Sequence, residues 1–192
     1  MKVILFSSVF ALIALDLVLA NPCAKPPPAD VKQCCEFPMP LEGALVESCI
    51  NQYGAQSMRV IQSILTGGPP RGACVAECLS NATGMVNGVD VNVDLLVAGF
   101  KMAADGKPEW VPIIESSIPE CAGMVKAMAP ELEKASKLPP LDPADPICSG
   151  GPGFMLFCAV KTLFQSCPAK YFKSTPECNE LKTYANTCPL GF

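Results

Sequence analysis

Apolar residues recur at helical spacing along most of the chain. Leu41, Leu45, Cys49 and Tyr53 are four apart, with Glu42 and Glu47 between them. Side chains at that interval share a face, so the segment predicts a helix with one apolar stripe. Met58, Ile61 and Leu65 continue the pattern through residues 56–65, and Gly67-Gly68-Pro69-Pro70 stops it. Over residues 72–79, Cys74 and Cys78 fall one turn apart, so both thiols point to one side and tie the same helix to two neighbours. Val93, Leu96, Val97 and Phe100 stand at offsets 0, 3, 4 and 7, with Asp90 or Asn92 as a side-chain cap and Gly106-Lys107-Pro108 as the stop. Trp110, Ile113, Ile114, Ser117 and Cys121 repeat the period, as do Cys121, Met124, Val125 and Met128. Pro119 is expected to kink or separate these halves. Residues 154–167 predict the last strong helix, with Phe154, Phe157, Cys158 and Lys161 on one face and Leu156, Val160, Leu163 and Phe164 on another. A helix apolar on more than one side is central.

Proline separates these segments. Residues 21–40 include Pro26-Pro27-Pro28 among Cys23, Cys34 and Cys35, which reads as an extended arm held by disulfides. Residues 130–146 carry five prolines and read as a crossing loop. Gly150-Gly151-Pro152-Gly153 lacks the Lys-Ser/Thr that completes a phosphate loop, so it reads as a turn with helix entry at Phe154. Residues 168–192 form a second arm, stapled through Cys178 and Cys188. No alternating run bounded by hairpin turns and no internal repeat is present. The expected fold is all-α: a compact, disulfide-cross-linked bundle of about six or seven short helices around an apolar cavity.

Residues 1–20 carry Lys2, an apolar run and small or apolar residues at Val18-Leu19-Ala20, the pattern of a secretory leader. The apolar run is shorter than the about 20 residues of a membrane helix, so no stable membrane association is expected. Residues 21–192 then read as a single secreted domain. The 12 cysteines are an even number, which in a secreted chain implies up to six disulfides. Adjacent Cys34 and Cys35 should find different partners. A net charge of -4, evenly mixed, gives nucleic acid no footing.

The chain contains no histidine. That removes Ser-His-Asp and Cys-His relays, His-based metal sites and the ordinary switch between pH 5 and 8. No catalytic residue, metal or cofactor is expected. The carboxylate pairs Glu115 with Glu120 and Glu131 with Glu133 read as solvated faces, and a histidine-free, carboxylate-dependent hydrolase is the weakest alternative. Asn81-Ala82-Thr83 is an N-glycosylation acceptor.

A cross-linked helical shell tolerates an apolar hollow, because the disulfides reduce its dependence on complete packing. Met58, Phe100, Trp110, Ile114, Met124, Met128, Met155 and Phe164 are the candidate wall, since methionine adapts to irregular shapes and aromatic rings give broad contact. Burying apolar ligand surface at roughly 25 cal/mol per Å² supports micromolar uptake of molecules of about ten to twenty carbons, after association costs. The principal alternative is a secreted interaction or inhibitor protein with a filled core and an exposed apolar patch.

From Cys49 the cysteines run through 74, 78, 121, 148, 158, 167, 178 and 188, with Pro168 directly after Cys167. This series resembles the insect odorant-binding proteins, in the extra-cysteine branch called Plus-C, over Cys49 to Cys188. The resemblance implies core pairs Cys49 with Cys78, Cys74 with Cys158, and Cys121 with Cys167. It leaves Cys23, Cys34, Cys35, Cys148, Cys178 and Cys188 to form three more. It implies a non-enzymatic extracellular carrier of an odorant-like apolar ligand, delivered to a chemosensory receptor, and the arms leave room for a homodimer. Family members that release ligand on acidification often use histidines or an ordered carboxy terminus. The absence of histidine, and Cys178 and Cys188 in the last arm, argue against that release here.

Overall fold

The computed structural model describes Cys23 and residues 27–188. The expected leader, residues 1–20, lies outside them. Eight α-helical segments are found among the described residues. They are α1 (Val31–Cys34), α2 (Gly43–Leu65), α3 (Cys74–Thr83), α4 (Val93–Ala103), α5 (Val111–Ala127), α6 (Ala129–Ala135), α7 (Gly150–Gln165) and α8 (Pro176–Thr187). A 3-10 turn, Pro108–Trp110, leads into α5, and the strands β1 (Val86–Asn87) and β2 (Asp90–Val91) pair antiparallel. The fold is all-α, as the periodicity predicts. The hairpin was not foreseen, because two residues per strand are too few to show alternation. Its turn holds Gly88 at φ 62°, a left-handed conformation that glycine adopts without strain.

Cα packing divides the chain into two units, Cys35–Phe172 and the remainder, which comprises the residues up to Cys34 and from Lys173 onward. The larger unit holds α2 to α7. Asn92 caps α4 by accepting from the Leu95 amide at 3.1 Å, and Ile114, Ile118, Cys121 and Val125 put the buried stripe of α5 against α4 and α7. Helix α5 passes through Pro119 without ending. Pro119 lies on the exposed side, where the carbonyl it leaves without an amide partner is open to solvation.

Two further proline sites behave differently from the sequence reading. Pro130 falls in the first turn of α6, and Pro152 in the first turn of α7. Amides there have no intrahelical acceptor, so a missing N–H loses no helix bond. The glycines before Phe154 therefore open the helix instead of preceding it, with Ser149 accepting from the Gly151 amide at 3.4 Å. Gly151 is there for space. A Cβ on it would collide with the Gly88 carbonyl, so the bare backbone lets the hairpin turn lie against α7.

The N-terminus of α3 has no side-chain cap of its own. Helix α2 supplies one instead. Gln56 is buried; its Oε1 accepts from the Cys74 amide at 2.9 Å and its Nε2 donates to the Gly72 carbonyl at 3.0 Å. The Ser57 hydroxyl accepts from the Val75 amide at 3.0 Å. Sequence periodicity gave these two polar residues no role beyond helix continuation.

The disulfides correct two of the three pairs that the family resemblance implied. Cys49–Cys78 joins α2 to α3 as expected, but Cys74 pairs with Cys148, Cys121 with Cys158, and Cys35 with Cys167. The reason lies in packing. Helices α5 and α7 run against one another and bring the Cys121 and Cys158 Cα atoms to 5.7 Å. Cys148 reaches Cys74 because Gly72 lies so close to the Cys148 carbonyl that a Cβ would overlap it. Glu77 also holds that loop, accepting from the Ser149 amide at 3.1 Å.

Trp110, Ile114, Ile118, Met155, Leu163 and Phe164 are among the largest fully buried side chains. Phe37 sits 6.1 Å from Trp110 and 6.2 Å from Phe164, and Tyr171 stacks on Trp110 at 6.3 Å. Above Tyr171, Glu109 accepts from Lys170 at 2.9 Å and from the Tyr171 hydroxyl at 2.8 Å. The Lys170 ammonium, a backbone amide and the Tyr171 hydroxyl hold the Glu109 carboxyl down at about 2. Lys107 pairs with Glu36 and lies over the same ring.

The smaller unit is built on α1 and α8, tied by Cys34–Cys178 and Cys23–Cys188. Adjacent Cys34 and Cys35 thus take different partners. The tail expected as an arm contains helix α8, because Pro176 fits its first turn and Thr175 caps it, accepting from the Cys178 amide at 3.3 Å. Leu181 and Ala185 are buried on α8, and the Tyr184 hydroxyl donates to the Cys23 carbonyl at 3.1 Å.

Non-reducing peptide mapping of the oxidised protein should recover Cys74–Cys148, Cys121–Cys158 and Cys35–Cys167 as separate cross-links. Gln56→Ala leaves the Cys74 amide and the Gly72 carbonyl without their partner and should cost about 1–3 kcal/mol in denaturant unfolding. The folded pKa of Glu109 is depressed, so its stabilising effect is present above its ordinary value of 4.5 and lost as pH falls through about 2. Glu109→Gln should therefore lower the melting temperature at neutral pH, with the difference closing over that acid range.

Candidate functional site

Three helices of the larger unit turn small or apolar faces toward one cavity. On α3 these are Ala76, Leu79, Ser80 and Thr83; on α7 they are Pro152, Met155, Leu156 and Ala159. Both sets follow offsets 0, 3, 4 and 7, one face of a helix. Leu96 and Phe100 add a third side from α4, and Val86 of β1 closes the floor. The mouth is formed by Met39, Pro40, Leu41 and Met85, which lie outside the helices and are half-buried. Gly99 lets this edge close on α4: a Cβ there would stand 3.2 Å from both Pro40 and Met85.

The cavity measures about 50 Å³. That accommodates a few water-sized groups, whereas pockets that bury a drug-sized ligand run to roughly 300–1,000 Å³. Uptake of a longer molecule requires side chains to move. Methionines are suited to this, having three rotatable bonds and a polarisable sulfur, and Met39, Met85 and Met155 stand around the void.

Among the described residues, no lining side chain is ionisable, and Ser80 and Thr83 supply the only side-chain N or O atoms. The Thr83 hydroxyl donates back to its own helix, at 2.8 Å from the Leu79 carbonyl. The Ser80 hydroxyl has no hydrogen bond among the described residues. Such a surface binds by excluding water and offers little to a reaction. Glu115 is occupied by Lys101 at 2.7 Å, and Glu115, Glu120, Glu131 and Glu133 are all exposed. Among the described residues, no group of three His, Cys, Asp or Glu is placed to hold a metal ion. No described helix is long and apolar enough to cross a membrane.

Of the residues singled out in the sequence, Phe100 and Met155 line the cavity. Trp110, Ile114 and Phe164 are fully buried but pack elsewhere in the core. The Trp110 ring lies between Phe37 and Tyr171, and its buried indole N–H has no partner among the described residues. Met58, Met124 and Met128 do not join the wall, being 64%, 46% and 41% exposed. Met58 sits on an exposed side of α2, Met124 at the edge of α5 with its sulfur 3.8 Å from that of Cys158, and Met128 between α5 and α6, so helical period alone did not separate an apolar surface position from an interior one. Leu79, Leu96 and Leu156 were missed as wall residues, although their offsets were visible. Met39 and Met85 carried no periodic signal at all. Asn81 is exposed near the end of α3, directly after Ser80.

A family model described as AgamOBP47-like matches residues 38–184. The chain is 34% identical to Odorant-binding protein 47 of Anopheles gambiae, over 95% of this chain and 80% of that protein. It is 22% identical to General odorant-binding protein 67 of the same organism over 92% and 85% of the two chains, and 21% identical to General odorant-binding protein 68 over 88% and 76%. The cysteine series fits the Plus-C kind, with Pro168 after Cys167 and cysteines 178 and 188 beyond. Matched along most of its length to a non-enzymatic group of carriers, the chain belongs to the AgamOBP47-like family of insect odorant-binding proteins.

Proposed function

We propose that the chain is an extracellular carrier that takes up small hydrophobic molecules, odorants or similar lipophiles, without covalent chemistry. It moves them through aqueous fluid to chemosensory receptors. The observation that carries this reading is the uncharged cavity bounded by the aligned faces of α3, α4 and α7. Six disulfides suit an oxidising extracellular compartment. Four of them lie within the cavity-bearing unit and keep its helices in place when wall side chains shift.

Phe100 and Met155 supply broad contact at the floor, and Met39 and Met85 swing to admit the chain of the ligand. An apolar molecule burying about 400 Å² gains on the order of 10 kcal/mol at 25 cal/mol per Å². Association and side-chain ordering consume part of that, leaving affinity near the micromolar range.

The test is titration of the oxidised protein with an environment-sensitive apolar fluorophore. Saturable one-to-one uptake with graded displacement by long-chain alcohols, aldehydes and esters is expected. Absence of uptake by protein with all its disulfides formed would favour an interaction protein with a filled core. Ala76→Leu places three more carbons in the void from the α3 face. It should weaken fluorophore binding about tenfold or more while the protein still unfolds cooperatively, as monitored by circular dichroism.

A further inference from the structure

We infer that the cavity selects neutral lipophiles bearing one oxygen function and rejects carboxylates, with Ser80 at the rim as the group that recognises the oxygen. This inference rests on the carrier reading and names its ligand class. The floor offers no hydrogen-bonding side chain: Val86, Leu96, Phe100 and Met155 are buried and apolar. A polar head seated among them would lose its hydration without replacement, so the hydrocarbon tail goes inward and the head stays at the rim. There, Thr83 has already committed its proton to the carbonyls of Leu79 and Ser80. The half-buried Ser80 hydroxyl is uncommitted among the described residues and is free to donate to an alcohol, aldehyde or ester oxygen.

Charge sets the second half of the selection. Among the described residues no lysine or arginine lines the cavity, so an anionic head meets no cation there. Glu77 precedes Ser80 by three residues on α3, which places the two side chains as neighbours on the helix surface. The positive end of α7, where Pro152 enters the cavity wall, already has a carboxylate, since Glu77 accepts from the Ser149 amide at 3.1 Å. A ligand carboxylate beside Ser80 therefore faces a fixed negative charge with no compensating donor beyond one hydroxyl.

Displacement of a bound fluorophore, N-phenyl-1-naphthylamine, from the full oxidised protein tests this. Competitors of equal chain length are dodecane, dodecanol, methyl dodecanoate and dodecanoate, at mildly alkaline pH where the acid is ionised and below its micelle concentration. Dodecanol and the ester should displace at similar concentrations, with dodecanoate weaker by about tenfold or more. Ser80→Ala should shrink the ratio of dodecanol to dodecane affinity by about twofold to tenfold, the worth of one partly exposed hydrogen bond. Glu77→Gln, which keeps an acceptor for Ser149, should narrow the gap between dodecanol and dodecanoate. Dodecanoate binding as tightly as its methyl ester, or an unchanged alcohol-to-alkane ratio in Ser80→Ala, would overturn the selection while leaving the carrier intact. Failure of the fluorophore itself to bind would overturn both.

Discussion

The placement of α3 is the constraint on which the cavity-bearing unit depends. Its N-terminal amides are answered by Gln56 and Ser57 of α2, its two cysteines lead to Cys49 and Cys148, and Glu77 reaches the backbone before α7. A helix of ten residues is marginal alone. Here its buried amides have acceptors, and two covalent links fix the rotation of the helix about its axis. That rotation decides whether Ala76, Leu79, Ser80 and Thr83 face α4 and α7 or the solvent.

The same fixing explains why the unit tolerates a void. Apolar side chains that leave a gap lose dispersion contacts, and an uncross-linked core responds by collapsing or by populating alternatives. Disulfides Cys49–Cys78, Cys74–Cys148, Cys121–Cys158 and Cys35–Cys167 restrict the unfolded ensemble and hold the frame against collapse. The packed half of the core lies elsewhere, in the aromatic group of Phe37, Trp110, Phe164 and Tyr171. Rigid aromatic packing in one region and movable methionines in another separate the work of staying folded from the work of admitting a ligand. The Glu109 carboxyl above this group is held down at about 2, and the sequence has no histidine to change charge between pH 5 and 8.

Helical periodicity was legible wherever packing follows a single face. The stripe on α5 and the capped start of α4 at Asn92 are both visible in the residues themselves. Proline was read less well, since its effect depends on position within a turn: Pro130 and Pro152 open helices, while Pro119 rides on an exposed side. Phe100 and Met155 were identifiable as large apolar residues on central helices. Met58, Met124 and Met128 shared that description and ended on the surface, because residue type does not say which side of a helix its neighbours will cover.

By itself the sequence determined the all-helical class, the cysteine series, the absence of histidine chemistry and the apolar character of the interior. These follow from local backbone preference and from side-chain chemistry, which travel with each residue. Only the tertiary structure decided the pairing of Cys74, Cys121 and Cys167, the cap that α2 lends to α3, and the mouth of Met39 and Met85. Those depend on segments distant in sequence arriving within a few ångströms of each other. Close backbone approaches at Gly72 and Gly151 set such meetings, and spacing along the chain carries no record of which distant carbonyl a missing Cβ makes room for.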